Sequence, residues 1–177
     1  MNDRYGRPDW NSFYISLCFL IARRSIDPRT KHGCVIVDKN HKILSTGYNG
    51  PPPGLDDSKL DLTAPGKYKL LEHAESNAIL NSKAADLEGS TFYITGRPCA
   101  LCFRQIRIVK ACRIIHGGQN SNCIAADDSI AIDIMNSQNP IPIFEHSCSD
   151  FNVRDTIMGI YDESSRASIK VVDKPSN

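Results

Sequence analysis

The chain has 177 residues, enough for one well-buried core, and its 41% hydrophobic and 23% charged content is that of an ordinary globular protein. A net charge of +1 gives no electrostatic footing for a polyanion, so long nucleic acid is set aside in favour of a small substrate. The longest early apolar stretch, FYISLCFLIA, is broken by Ser16 and ends in Arg23 and Arg24. That is too short for a membrane span and lacks the flanks of a signal peptide, so a cytoplasmic chain with its seven cysteines reduced is expected.

Between Trp10 and Arg24, Phe13, Leu17, Leu20 and Ile21 recur at helical spacing, with Asp9 or Asn11 available as the cap. GCVIVD and KILSTGY are short, rich in branched residues and separated by KNHK, which predicts a hairpin. The proline-rich stretch NGPPPGLDDSKLDLTAPGKYK has neither a helical nor a strand period and is expected to be a long surface loop or flap. A helix is then expected to begin near His73 and stop before LEGS. TFYIT follows as a buried strand, CALCFRQIRIVKA as a second helix and RIIHGG as another strand, with a weaker helix in SIAIDIMNS and an apolar IPIF beyond. This rhythm predicts an α/β fold with parallel pairing among the later strands. A domain over 1–150 and an appended extension over 151–177 are the expected organisation, with no internal repeat.

Cys99 and Cys102 stand three apart at the start of a predicted helix with Pro98 before them, so both sulfurs leave its first turn. The amide hydrogens and dipole at that helix start favour thiolate over thiol, as zinc requires. His73, at the start of another helix, supplies a third ligand, and three protein ligands are the mark of a catalytic zinc with a fourth position for water. Glu75, two residues on, sits beside the ligand without needing to bind the ion and can move a proton. The pattern H-x-E with P-C-x-x-C downstream is that of zinc nucleobase deaminases. A structural zinc knuckle would need a second cysteine pair, and a redox pair would leave His73 and Glu75 unexplained.

RRSIDPRTKHGCVIVDKNHKILSTGYNGPPPG, HAESNAIL and GRPCALC together resemble the deoxycytidylate deaminase family, from about Trp10 to about Phe144. The resemblance implies a three-layer α-β-α cytidine-deaminase-like fold, a mixed central sheet flanked by helices, and hydrolysis of dCMP to dUMP and ammonia, feeding dTMP synthesis. It implies one zinc per subunit on His73, Cys99 and Cys102, with Glu75 as the proton shuttle. Asn49, against the sugar, and Ala74 are the implied substrate contacts. Arg24 is the candidate for the 5′-phosphate, since a guanidinium fork suits phosphate oxygens, although a surface arginine ending a helix is the competing reading. Family members are often oligomers, hexamers among them, activated by dCTP and inhibited by dTTP. Gly50, Gly54, Asp56 and Asp57 would then hold the effector triphosphate and its Mg2+, or else shape a plain solvated turn. The loop before the H-x-E motif lacks the cysteine and histidine that many relatives use for a second, structural zinc. A deaminase acting on tRNA or single-stranded DNA, and a silent dCTP sensor, are the rival readings.

Cys18, Cys34 and Cys112 are expected in the core, and Cys123 and Cys148 as exposed thiols. His116, Cys123, His146 and Cys148 show no ligand-like spacing, and His32 and His41 suggest loop polarity. Arg104, Arg107, Lys110 and Arg113 form a positive helix face, best taken as solvated or as a subunit contact.

Overall fold

A computed structural model describes residues 7–63, 69–119 and 125–146. Helix α1, Trp10–Ala22, starts where Asp9 Oδ1 accepts the amides of Asn11 and Ser12 at 2.9 and 3.1 Å, so Asp9 is the cap. Strands β1, Gly33–Val37, and β2, Ile43–Tyr48, form the expected antiparallel hairpin. Its turn carries His41 at a φ of 64°, whose carbonyl accepts the Tyr14 hydroxyl at 2.6 Å and whose ring stacks 4.3 Å from Trp10. Helix α2, Ala74–Leu80, strand β3, Thr91–Gly96, helix α3, Ala100–Ile108, and strand β4, Arg113–Gln119, follow in the expected rhythm. Helix α4, Ala126–Gln138, and strand β5, Ile143–Glu145, complete the described residues. The sheet order is β2-β1-β3-β4-β5, with β3, β4 and β5 parallel and β1 antiparallel to both of its neighbours.

Alternation along each strand splits the core in two. Cys34, Ile36, Phe92, Ile94 and Ile114 face one side, where they pack with Ala74, Ala78, Phe103, Ile106 and Ile132 of α2, α3 and α4. Val35, Val37, Tyr93 and Ile115 face the other, against Tyr14, Ile15 and Cys18 of α1. The α-β-α sandwich with a mixed sheet is therefore present.

The buried stripe of α1 differs from the expected one. Tyr14, Ile15, Cys18 and Ala22 are buried, whereas Phe13 is 43% exposed and Leu17 and Ile21 pack only at the margin. Close approach explains the shift: a Cβ on Gly33 would lie 2.0 Å from the Cys18 carbonyl oxygen, so small side chains must face the sheet there. The proline-rich stretch forms only a 3-10 turn, Asp57–Lys59, among its described residues. Its ends are drawn together by a bridge between Gly50 and Glu72, with Gly50 N to Glu72 O at 3.1 Å and Glu72 N to Gly50 O at 2.9 Å. Cys112 corrects the core expectation: it is exposed just ahead of β4, while Cys18 and Cys34 are fully buried. Cys123, Cys148 and the 151–177 extension lie outside the described residues. No helix among the described residues is long and apolar enough to cross a membrane.

Candidate active site

His73 and Cys99 occupy equivalent places. Each is the extended residue immediately before a helix, and neither side chain is used to cap that helix. The imidazole and the thiol are thus free to turn towards one another, and Cys102 joins them from the first turn of α3. His73 Nδ1 lies 3.5 Å from Cys99 Sγ and 3.3 Å from Cys102 Sγ. The three donor atoms all fall within 4.8 Å of one another, and among the described residues no other group of His, Cys, Asp or Glu gathers in this way. A tetrahedral zinc with about 2.3 Å to sulfur and about 2.0–2.1 Å to nitrogen separates those donors by about 3.6 Å. The site therefore fits the ion with movements of a few tenths of an ångström, and two sulfurs with one imidazole are donors zinc accepts.

The electrostatics agree with metal ligation. The hydrogen bond from Cys102 holds the Cys99 thiol down to about 4 against the opposing effect of burial, and the His73 imidazole adds to the lowering. That same bond, with burial, pushes Cys102 up, and the thiolate partner raises His73 to about 9. The lowered Cys99 favours the thiolate that a metal ion takes as ligand, and protons held on the other two groups would be displaced when an ion binds. Glu75 is 5% exposed in the first turn of α2 and is not one of the three gathered ligands. Burial pushes its carboxyl up, opposed by its own backbone amide and the charge on His73.

His73 and Cys99 line a cleft of about 600 Å³, of a size to hold a small ligand, with Cys102 buried behind them. Asn49, Ala74, Glu75, His73 and Cys99 line it. Asn49 is already engaged: its Oδ1 accepts the His32 amide at 2.7 Å and its Nδ2 donates to the Thr30 carbonyl at 2.9 Å. It thereby fixes the segment before β1 and keeps one N–H and one lone pair beyond these two bonds. That segment is turned by Asp27, whose Oδ1 accepts the amides of Arg29 and Thr30 at 2.8 and 3.2 Å. The turn brings Arg29, not Arg24, to the cleft; Arg24 is exposed at the end of α1 and outside the lining. Gly50, Gly54, Asp56 and Asp57 are also outside it. Asp56 is committed to Ser58 and to Lys59, 3.0 Å from its carboxylate.

Four other lining residues gave no local sequence signal. His32 Nδ1 sits 3.0 Å from Thr95 Oγ1, and burial lowers its basicity. Arg97 and Gln119 form another wall, and Asp128 of α4 accepts the Ala100 amide at 3.1 Å. Asp128 so takes the capping place that Cys99 leaves open at α3. His116 is buried, with its Nδ1 accepting the Gly118 amide at 3.3 Å, and His146 Nε2 lies 2.9 Å from Ser12 Oγ. The expected positive helix face is split: α3 ends at Ile108 and carries only Arg104 and Arg107, Lys110 stands in the turn beyond it at a φ of 56°, and Arg113 opens β4. All four are outside the cleft lining, Arg107 donating to the Asn139 carbonyl at 2.7 Å and Lys110 pairing with Glu88 at 3.0 Å.

The model for the cytidine and deoxycytidylate deaminase zinc-binding region matches residues 8–118, which include His73, Glu75, Cys99 and Cys102. The chain belongs to this deaminase family. Among deaminases of known sequence, it is 38% identical over 108 residues to the deoxycytidylate deaminase of Mus musculus, covering 55% of this chain and 58% of that one. It is 33% identical over 124 residues to the deoxycytidylate deaminase of Mycobacterium phage D29, covering 63% of this chain and 96% of the relative. The chain thus spans a little over half the length of the mammalian deaminases it matches. The dCMP deaminase of cyanophage S-TIM5 has the same fold, with a TM-score of 0.61 at 24% identity over 79% of this chain and 99% of that one.

Proposed function

We propose that this deaminase hydrolyses dCMP to dUMP and ammonia. The observation that carries the reading is the triangle of His73, Cys99 and Cys102 with Glu75 buried beside it, in a chain whose curated relatives are named deoxycytidylate deaminases. His73, Cys99 and Cys102 would hold one zinc ion, which when bound makes water nucleophilic at neutral pH.

Glu75 carries the protons. Overall a C–O bond forms at C4 of the cytosine and the C4–N bond to the amino group breaks. Of the two water protons, Glu75 moves one to ring N3 and the other to the departing amine, which leaves as ammonia. A carboxyl whose affinity for protons is raised by burial is suited to hold each of them between transfers. Asn49 keeps the Thr30 and His32 wall in place and offers its remaining N–H and lone pair to the sugar. Ala74, the first residue of α2 and part of the cleft lining, is the further contact offered to the substrate.

The reading extends to activation by dCTP and inhibition by dTTP, with the exposed stretch from Gly54 to Asp57 as the effector segment, Mg2+ as its companion ion, a homo-oligomer as the working form and a cytoplasmic location. An absorbance assay checks the reaction. Wild-type protein should convert dCMP and favour it over deoxycytidine by at least about tenfold in kcat/KM, as expected where a charged group is recognised. Consumption of deoxycytidine or of a cytosine-containing oligonucleotide with dCMP left intact would contradict it.

A further inference from the structure

Strands β3 and β4 end side by side at the cleft, where Gly96 pairs with Gln119. A Cβ on residue 96 would stand 2.3 Å from the Gln119 carbonyl oxygen, so glycine is required for the two strand ends to meet. The pairing sets Arg97 and Gln119 on one wall at the carboxyl ends of parallel strands, the place where open α/β sheets bind ligands. Each carries a buried polar atom with no protein partner: Arg97 Nε and Gln119 Oε1. Ser90 Oγ, the other such atom among the described residues, is not in the cleft lining. Arg97 also joins no ion pair with another described residue.

The other cleft arginine, Arg29, is exposed, so water satisfies its guanidinium and no ligand is demanded. A buried guanidinium N–H without an acceptor is costly to leave unmet, and a planar fork of donors is met best by an oxyanion. Gln119 Oε1 can only accept, so it calls for a donor on the same ligand, such as a sugar hydroxyl. We infer that Arg97 receives a phosphate oxygen of the substrate, with Gln119 accepting a hydroxyl beside it, and that Arg97 is the residue by which the enzyme prefers a nucleotide to its nucleoside. The inference rests on the deaminase reading for its choice of ligand.

The test is equilibrium titration of zinc-loaded wild-type, R97Q and R97K protein with dUMP, deoxyuridine and inorganic phosphate, with melting temperature and metal content as controls. R97Q should weaken dUMP and phosphate by about 10- to 100-fold and keep deoxyuridine within about twofold, the split that loss of a charged hydrogen bond produces. R97K, which keeps the charge and loses the Nε donor, should fall between. Unchanged dUMP affinity in R97Q, or equal weakening of dUMP and deoxyuridine, overturns the inference. Should R97Q fail to fold, the same comparison in R97K decides. A wild type that binds phosphate through Arg97 but leaves dCMP intact would sink the proposed reaction and spare the subsite.

Discussion

Glu75→Gln will lower kcat for dCMP by about 100- to 10,000-fold, the share that a positioned acid-base group contributes, while the purified variant keeps its metal. The reason is positional. Glu75 lies in the first turn of α2, two residues after His73, is 5% exposed, and is not part of the ligand triangle. Glutamine preserves its volume and hydrogen-bonding shape but cannot carry a proton. Steady-state kinetics together with metal analysis separate the possible roles. Full turnover in a metal-replete variant would remove Glu75 from the chemistry, and loss of the metal would make it a ligand.

Gly47→Ala will destabilise the fold by about 3 kcal/mol or prevent it, the upper part of the range for overpacking a rigid interior. A Cβ there would lie 2.3 Å from the Ala74 carbonyl oxygen and 2.4 Å from the Ala78 amide nitrogen, both backbone atoms of α2. The helix cannot retreat cheaply. Ser45 Oγ donates to the Ala78 carbonyl at 2.7 Å, and Asn77 Nδ2 donates to the Tyr48 carbonyl at 2.8 Å, fastening α2 to β2 on either side of Gly47. Since His73 immediately precedes α2, any outward shift of the helix also opens the ligand triangle, so the surviving folded fraction should bind zinc more weakly. Gly54→Ala is the control: its φ of 92° is strained for alanine, yet nothing stands within 4 Å, and about 1 kcal/mol is expected. Urea unfolding measures both, and equal midpoints for the two variants would contradict the close packing of α2 on β2.

The ligand set was legible because each of its pieces is local. His73 with Glu75, and Cys99 with Cys102, are each confined to the start of one helix, where spacing alone dictates which side chains share a face. The sheet was legible for a related reason: GCVIVD and TFYIT lie buried between two layers and are apolar on both faces. The cleft walls were not legible. Arg29, Arg97, Gln119 and Asp128 come from four separate segments that meet only through strand order and helix packing, and no periodicity marks them. Arg24, expected at the substrate phosphate, is outside the cleft lining, and Arg29 reaches it through the Asp27 turn that follows α1. The Asp27-Pro28 pair is the local sequence signal for that turn. The α1 stripe departs from the periodicity because size does not select its core face: contact with Gly33 selects Cys18 and Ala22 over the larger apolar residues.

Metal analysis of the purified chain tests the central claim most directly. One zinc per chain is expected, since the described residues gather a single set of donors, and a chelator that removes it should abolish dCMP turnover until one equivalent is returned. Full activity in metal-free protein, or a second tightly held zinc needed for turnover, would contradict the account.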